Sequence, residues 1–165
     1  MATTYTPIAT TTLGAATASV TFSSIPATYT DLVFVMNASA VSVGDAKITL
    51  NGNTSSTMSS TRLAGNGTSA SSARTTGGVG PFYITYNGSI PGTPQRNITV
   101  INFMNYSNTT TYKTLLIRGN ATDGSIKAEA ILFQNTGAIS SFTLDAIGQN
   151  FDTGSTFSLY GIKAA

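Results

Sequence analysis

The chain has no cysteine, no histidine and no tryptophan among its 165 residues, and only 8% of them are charged. Without cysteine there is no thiol nucleophile, no disulfide and no thiolate metal ligand. Without histidine there is neither a Ser-His-Asp triad nor an imidazole metal site. Apolar runs such as Leu32-Val33-Phe34-Val35-Met36 stop far short of the ~18 residues that a membrane-spanning helix needs. The opening stretch lacks the basic and apolar regions of a secretory leader, so no signal peptide is expected. Charge of either sign is sparse: eight Lys and Arg against six Asp and Glu give a net +2, with no two cations adjacent. A nucleic-acid footprint needs clustered cations that displace counterions, so neither nucleic acid nor membrane is expected as a partner.

What replaces charge is hydroxyl and amide: 29 Thr, 19 Ser and 12 Asn. Low net charge is a poor recipe for solubility as a free monomer, which points to a protein that works in an assembly.

Helical periodicity is nearly absent, whereas Thr, Val, Ile, Phe and Tyr suit pleated, half-buried strands. Alternation predicts strands near Thr17–Ser23, Thr30–Ala40, Lys47–Asn51, Ser56–Leu63, Phe82–Asn87, Asn97–Tyr106, Tyr112–Arg118, Ile126–Gln134, Ser140–Ala146 and Thr156–Lys163. The segment from Leu32 is apolar on both faces at its start, as in a strand buried on both sides. Asn51-Gly52, Asn66-Gly67, Asn87-Gly88 and Asp123-Gly124 supply the positive φ angles of tight turns. Short strands without helical crossovers predict an all-β fold: a two-sheet antiparallel sandwich, jelly-roll-like, with about eight to ten strands. Residues 1–16, with Tyr5, Pro7, Ile8 and Leu13 as apolar points, read as an N-terminal extended arm or an edge strand. Residues 17–165 read as a single sandwich domain in which 64–81 (AGNGTSASSARTTGGVGP) form a long flexible loop.

Catalytic chemistry finds little to stand on. Asp31, Asp45, Asp123 and Asp152 occupy ordinary turn and cap positions, and Glu129 beside Lys127 reads as a solvated strand face. A Gly-x-Ser-x-Gly elbow and a Ser-x-x-Lys pair are both missing. Gly77-Gly78-Val79-Gly80 precedes a strand instead of opening a helix, so it is no phosphate loop. Asn120 and Asp123 offer too few oxygens for calcium. The expectation is a protein that is not an enzyme and takes no cofactor or metal. Tyr5, Tyr29, Tyr83, Tyr106, Tyr112 and Tyr160 leave sugar stacking open as a use of aromatics, although packing is the more frequent one.

Both ends of the sequence carry a resemblance. Thr4-Tyr5-Thr6-Pro7-Ile8-Ala9 and Ser23-Ser24-Ile25-Pro26-Ala27-Thr28-Tyr29-Thr30-Asp31-Leu32-Val33 resemble segments of short virion proteins of tailed bacteriophages, notably those of cyanobacteria and other aquatic bacteria. Asn135 to Leu144, Asn150-Phe151 and Gly154 to Ile162 are similar too, as is Arg118-Gly119-Asn120. The likeness implies a virion structural protein of the capsid decoration (cement) type, located on the capsid surface and made in the host cytoplasm. Its implied partners are the major capsid protein and further copies of itself, with a trimer favoured. Tyr5, Pro7, Ile8 and Leu13 are the expected partner contacts. The alternative is a tail- or head-fibre receptor-binding module that recognises host surface glycan.

Overall fold

The structure, a computed structural model, describes residues 4–55, 57–78, 82–85, 90–120 and 124–163. Among the described residues twelve strands run in chain order: β1 (Tyr5–Thr12), β2 (Ser19–Phe22), β3 (Asp31–Ala38), β4 (Asp45–Leu50), β5 (Met58–Gly65), β6 (Ala70–Gly78), β7 (Phe82–Tyr83), β8 (Asn97–Met104), β9 (Lys113–Asn120), β10 (Ile126–Phe133), β11 (Phe142–Ile147) and β12 (Thr156–Ile162). No helix occurs among the described residues. All pairings between these strands are antiparallel, in two sheets ordered β1-β12-β3-β8-β9-β10-β5-β6 and β2-β11-β4-β7.

Setting aside the hairpins β5–β6 and β9–β10 leaves β1-β12-β3-β8 facing β2-β11-β4-β7. The chain alternates between these two four-stranded halves in the interleaved order of a jelly roll. The two hairpins then extend one sheet well past the other.

Alternation along each strand sends one set of side chains between the sheets. Leu32, Phe34 and Met36 of β3, Ile101 and Phe103 of β8 and Phe157 and Leu159 of β12 are buried there. They meet Val20 and Phe22 of β2, Ile48 and Leu50 of β4 and Phe142 and Leu144 of β11 in one continuous core. Phe142 is its hub. Its ring stacks on Phe22 at 5.1 Å and Phe103 at 5.2 Å, and meets Phe34 edge-on at 5.3 Å. Val33, on the opposite face of β3, is also buried, as the two-sided apolar start of that strand predicts.

Local chemistry closes the loops. Asn51 takes a left-handed φ of 49° at the end of β4. Its side-chain oxygen accepts the backbone N–H groups of Ser140 (2.9 Å) and Ser141 (3.1 Å), and its amide donates to the carbonyl of Ala138 (2.7 Å). One turn residue thereby fixes the approach to β11. Gly161 of β12 lies under the Tyr29 ring, where a Cβ would come within 2.3 Å of it.

Of the two forms expected for residues 1–16, the described part takes the edge strand: Tyr5–Thr12 pair with β12 along its length, with a bulge between Pro7 and Ala9. The other expected boundary changes: 64–81 is not a loop as far as it is described. Asn66 accepts from the backbone and hydroxyls of Thr68 and Ser69 to make a tight turn, and β6 pairs with β5 from Gly65↔Ala70 to Met58↔Gly78. Gly77, at φ 62°, stands at the register shift near the end of that pairing. Residues 79–81 lie outside the described residues, as do 86–89 at the end of the expected Phe82–Asn87 strand.

Replacing the hub phenylalanine, Phe142→Ala, is expected to lower unfolding stability by about 3–5 kcal/mol, since partial collapse leaves a cavity between the sheets. Urea denaturation measures it, and a loss below about 1 kcal/mol contradicts the hub role.

Candidate interaction surface

The extension β9-β10-β5-β6 has two faces, set by the register. Inward point Leu115, Ile117, Ile131, Phe133 and Met58, all buried. Lys113 also points inward with no exposed surface. Its ammonium donates to the backbone carbonyls of Thr111 (2.7 Å), Thr136 (2.9 Å) and Asn135 (3.4 Å). Three carbonyl dipoles replace water around the charge, and the chain after β10 is tied to β9. Burial pulls this lysine below its ordinary pKa.

Lys127 and Glu129 of β10 share the inward face and form an ion pair at 2.7 Å. The expectation of a solvated strand face fails here. The two side chains are 10% and 3% exposed, because they lie on the buried inner face of the sheet and not on its outer one. Burial lowers the Lys127 pKa, and the charge of Glu129 opposes that shift.

The outward face is the unusual one. Among the described residues ten large apolar side chains are exposed, and five of them stand on this face and its continuation onto β8: Leu63, Ile98, Met104, Leu116 and Ile126, between 38% and 68% exposed. Register places them together. Ala128 of β10 lies between Leu63 of β5 and Arg118 of β9, and Ala130 lies between Thr61 and Leu116. Two alanines on the central strand with larger neighbours on both flanks make a trough. Its widest part is a groove of about 840 Å³ lined by Leu63, Ile98, Val100, Arg118, Ile126 and Ala128, and hollows on the same face continue past Ala130 to Leu132. Contiguous exposed apolar surface of this kind marks an interaction site.

The expected contact residues divide. Tyr5 and Pro7 are exposed on the outer face of β1. Ile8 packs against the core and Leu13 is buried within it, so both are structural. The trough was hidden behind a signal that the sequence does contain: Leu115-Leu116-Ile117 and Ile98 to Met104 are apolar on both faces, although an outer strand of a two-sheet sandwich needs only one.

The acids do not converge. Asp31 caps the Asn105 N–H at 2.5 Å, and Asp45 opens β4 and accepts the Thr85 hydroxyl at 3.0 Å. Asp152 accepts from the Thr93 hydroxyl and the Thr153 N–H, hydrogen bonds that hold its carboxyl below the ordinary carboxylate pKa. Asp123 lies outside the described residues. Asn120, weighed as a calcium ligand, instead accepts the Ile98 N–H at 2.6 Å and so closes β8 onto β9. No group of three or more Asp and Glu comes together among the described residues.

The floor of the trough rests on the buried pair, which gives a test. Glu129→Gln alone, which leaves Lys127 without its counter-charge, is expected to cost about 3–5 kcal/mol. Lys127→Met with Glu129→Leu is expected to match the native chain within about 1 kcal/mol or exceed it. Equal losses for the two variants in urea denaturation contradict a buried pair.

No known family model matches the chain, and a search of curated proteins gives no match.

Proposed function

We propose that this chain is a bacteriophage virion structural protein, a capsid decoration (cement) protein. It binds the outside of the assembled capsid and braces contacts between major capsid proteins. The observation that carries the reading is the two-faced extension: one side is core, and the other offers a second apolar surface that no described residue covers. The resemblance of both chain ends to short virion proteins of tailed phages supports it. So does a surface nearly free of charge, which avoids repulsion among many closely packed copies.

The mechanism is mass action. A protein that binds only the assembled lattice stabilises that lattice, and several weak contacts per oligomer add through avidity. The working unit is a homo-oligomer, with a trimer favoured. Tyr5 and Pro7, exposed on the β1 edge, are the contacts it offers at that end of the sheet. The protein acts by binding, without a cofactor and without catalysis.

Quantitative mass spectrometry of purified particles of the encoding phage tests the reading. A copy number comparable to that of the major capsid protein is expected. A few copies per particle favours the alternative, a tail- or head-fibre module that recognises host glycan. Complete absence from the particle overturns both.

A further inference from the structure

The trough on the outer face has a shape and a charge that together select an occupant. Its floor is the outward row of β10: Ile126, Ala128, Ala130 and Leu132. A strand of eight residues spans about 26 Å at ~3.3 Å per residue, enough to seat an extended peptide of similar length. The alanines leave room for alternate side chains of such a peptide, and Leu63 and Leu116 stand beside them. An extended peptide repeats its side chains every two residues, as the floor row of β10 does, whereas a helix repeats every 3.6 and does not match it.

Charge narrows the choice further. Arg118 stands on this face next to Ala128, and Arg74 of β6 stands on it opposite Thr61. Both are exposed, and neither side chain has an ion pair or hydrogen bond among the described residues. No described carboxylate lies on the same face of the extension: Glu129 points inward, and Asp31 is at the start of β3. A second copy laid face to face would bring Arg74 and Arg118 of both molecules into one apolar seam with no described carboxylate to answer them. Like charges so placed cost affinity. A segment with apolar side chains and a carboxylate removes that cost, because an arginine takes a carboxylate in a two-pronged hydrogen-bonded pair.

We infer that the trough along β10 is the docking site for an extended segment of another protein, alternately apolar and carrying a carboxylate that Arg118 receives. This rests on the decoration reading only for the owner of the segment, which would then be the capsid shell; the site itself rests on the outer face alone.

The test uses the whole chain and two octapeptides bearing a neutral fluorophore. Each alternates leucine with serine, and one carries a central aspartate on its leucine side where the other carries lysine. Fluorescence anisotropy is expected to show binding of the aspartate peptide, at least about tenfold tighter than the lysine one. Added salt should weaken it. Arg118→Glu is expected to reverse the preference. Ala128→Trp, an outward change that fills the floor, is expected to abolish both, with an unchanged urea midpoint as the check on folding. Equal affinities, no binding, or indifference to Arg118→Glu overturns the inference. So does a native dimer in sedimentation that Ala128→Trp dissociates, since a second copy would then own the face. None of these readings involves the virion, so docking can fail while the copy number stands, and the reverse.

Discussion

Four phenylalanine rings, from strands β2, β3, β8 and β11, meet at the point where the two sheets touch. The rest of the molecule depends on that joint. The smaller sheet has four strands and the larger has eight, so the sheets can be clamped over only part of the larger one. Aromatic rings suit a clamp of limited area, because each buries much surface and each edge-on or offset contact adds to it. Beyond β8 the larger sheet continues on its own ladder, with other means needed to keep its inner side dry.

Those means differ along the extension. Toward one end, Leu115, Ile131 and Phe133 are buried together with Ile139, and the Lys113 ammonium holds three carbonyls of the neighbouring chain. Toward the other, the inner row turns ionic, with Lys127 and Glu129 paired and Arg62 of β5 directly opposite Glu129. A buried pair of this kind contributes little net stability, since desolvation consumes most of the attraction. It does oppose a register slip in β10, because moving the strand by one residue would turn both charges outward and put Ile126, Ala128 and Ala130 in their place. The same alternation that sends the ions in sends the apolar row out, and the trough is the outward half of that pattern.

Much of the sandwich was legible in the sequence. Where apolar and polar residues alternate, as in Lys47–Asn51 or Thr156–Lys163, strands were readable within a residue or two. Turn pairs such as Asn51-Gly52 were readable because positive φ restricts residue type. β6 was not legible, because an edge strand exposed on both faces has no apolar rhythm, and ASSARTTGG looks the same whether or not it is paired. β1 showed apolar points but not their destination, since pairing with a strand some 150 residues away leaves no local trace. Lys127 and Glu129 misled for a related reason: two charges at alternate positions look the same on a wet face and on an inner face that closes around them. The candidate site fared worst. Its residues come from β5, β8, β9 and β10, and only the register assembles them.

The place of β12 in the larger sheet has a consequence for the order in which the protein is made. β12 lies between β1 and β3, yet it is the last of the twelve strands to be synthesised. Until it arrives, β3 has an open edge along the most apolar run of the chain, Leu32 to Met36, and β1 has no paired strand among the described residues. An unpaired apolar edge is a template for other chains, and pairings between such distant segments form slowly. The nascent chain therefore stays vulnerable until β12 is out. A β12 that is delayed would leave this edge open to other chains during synthesis.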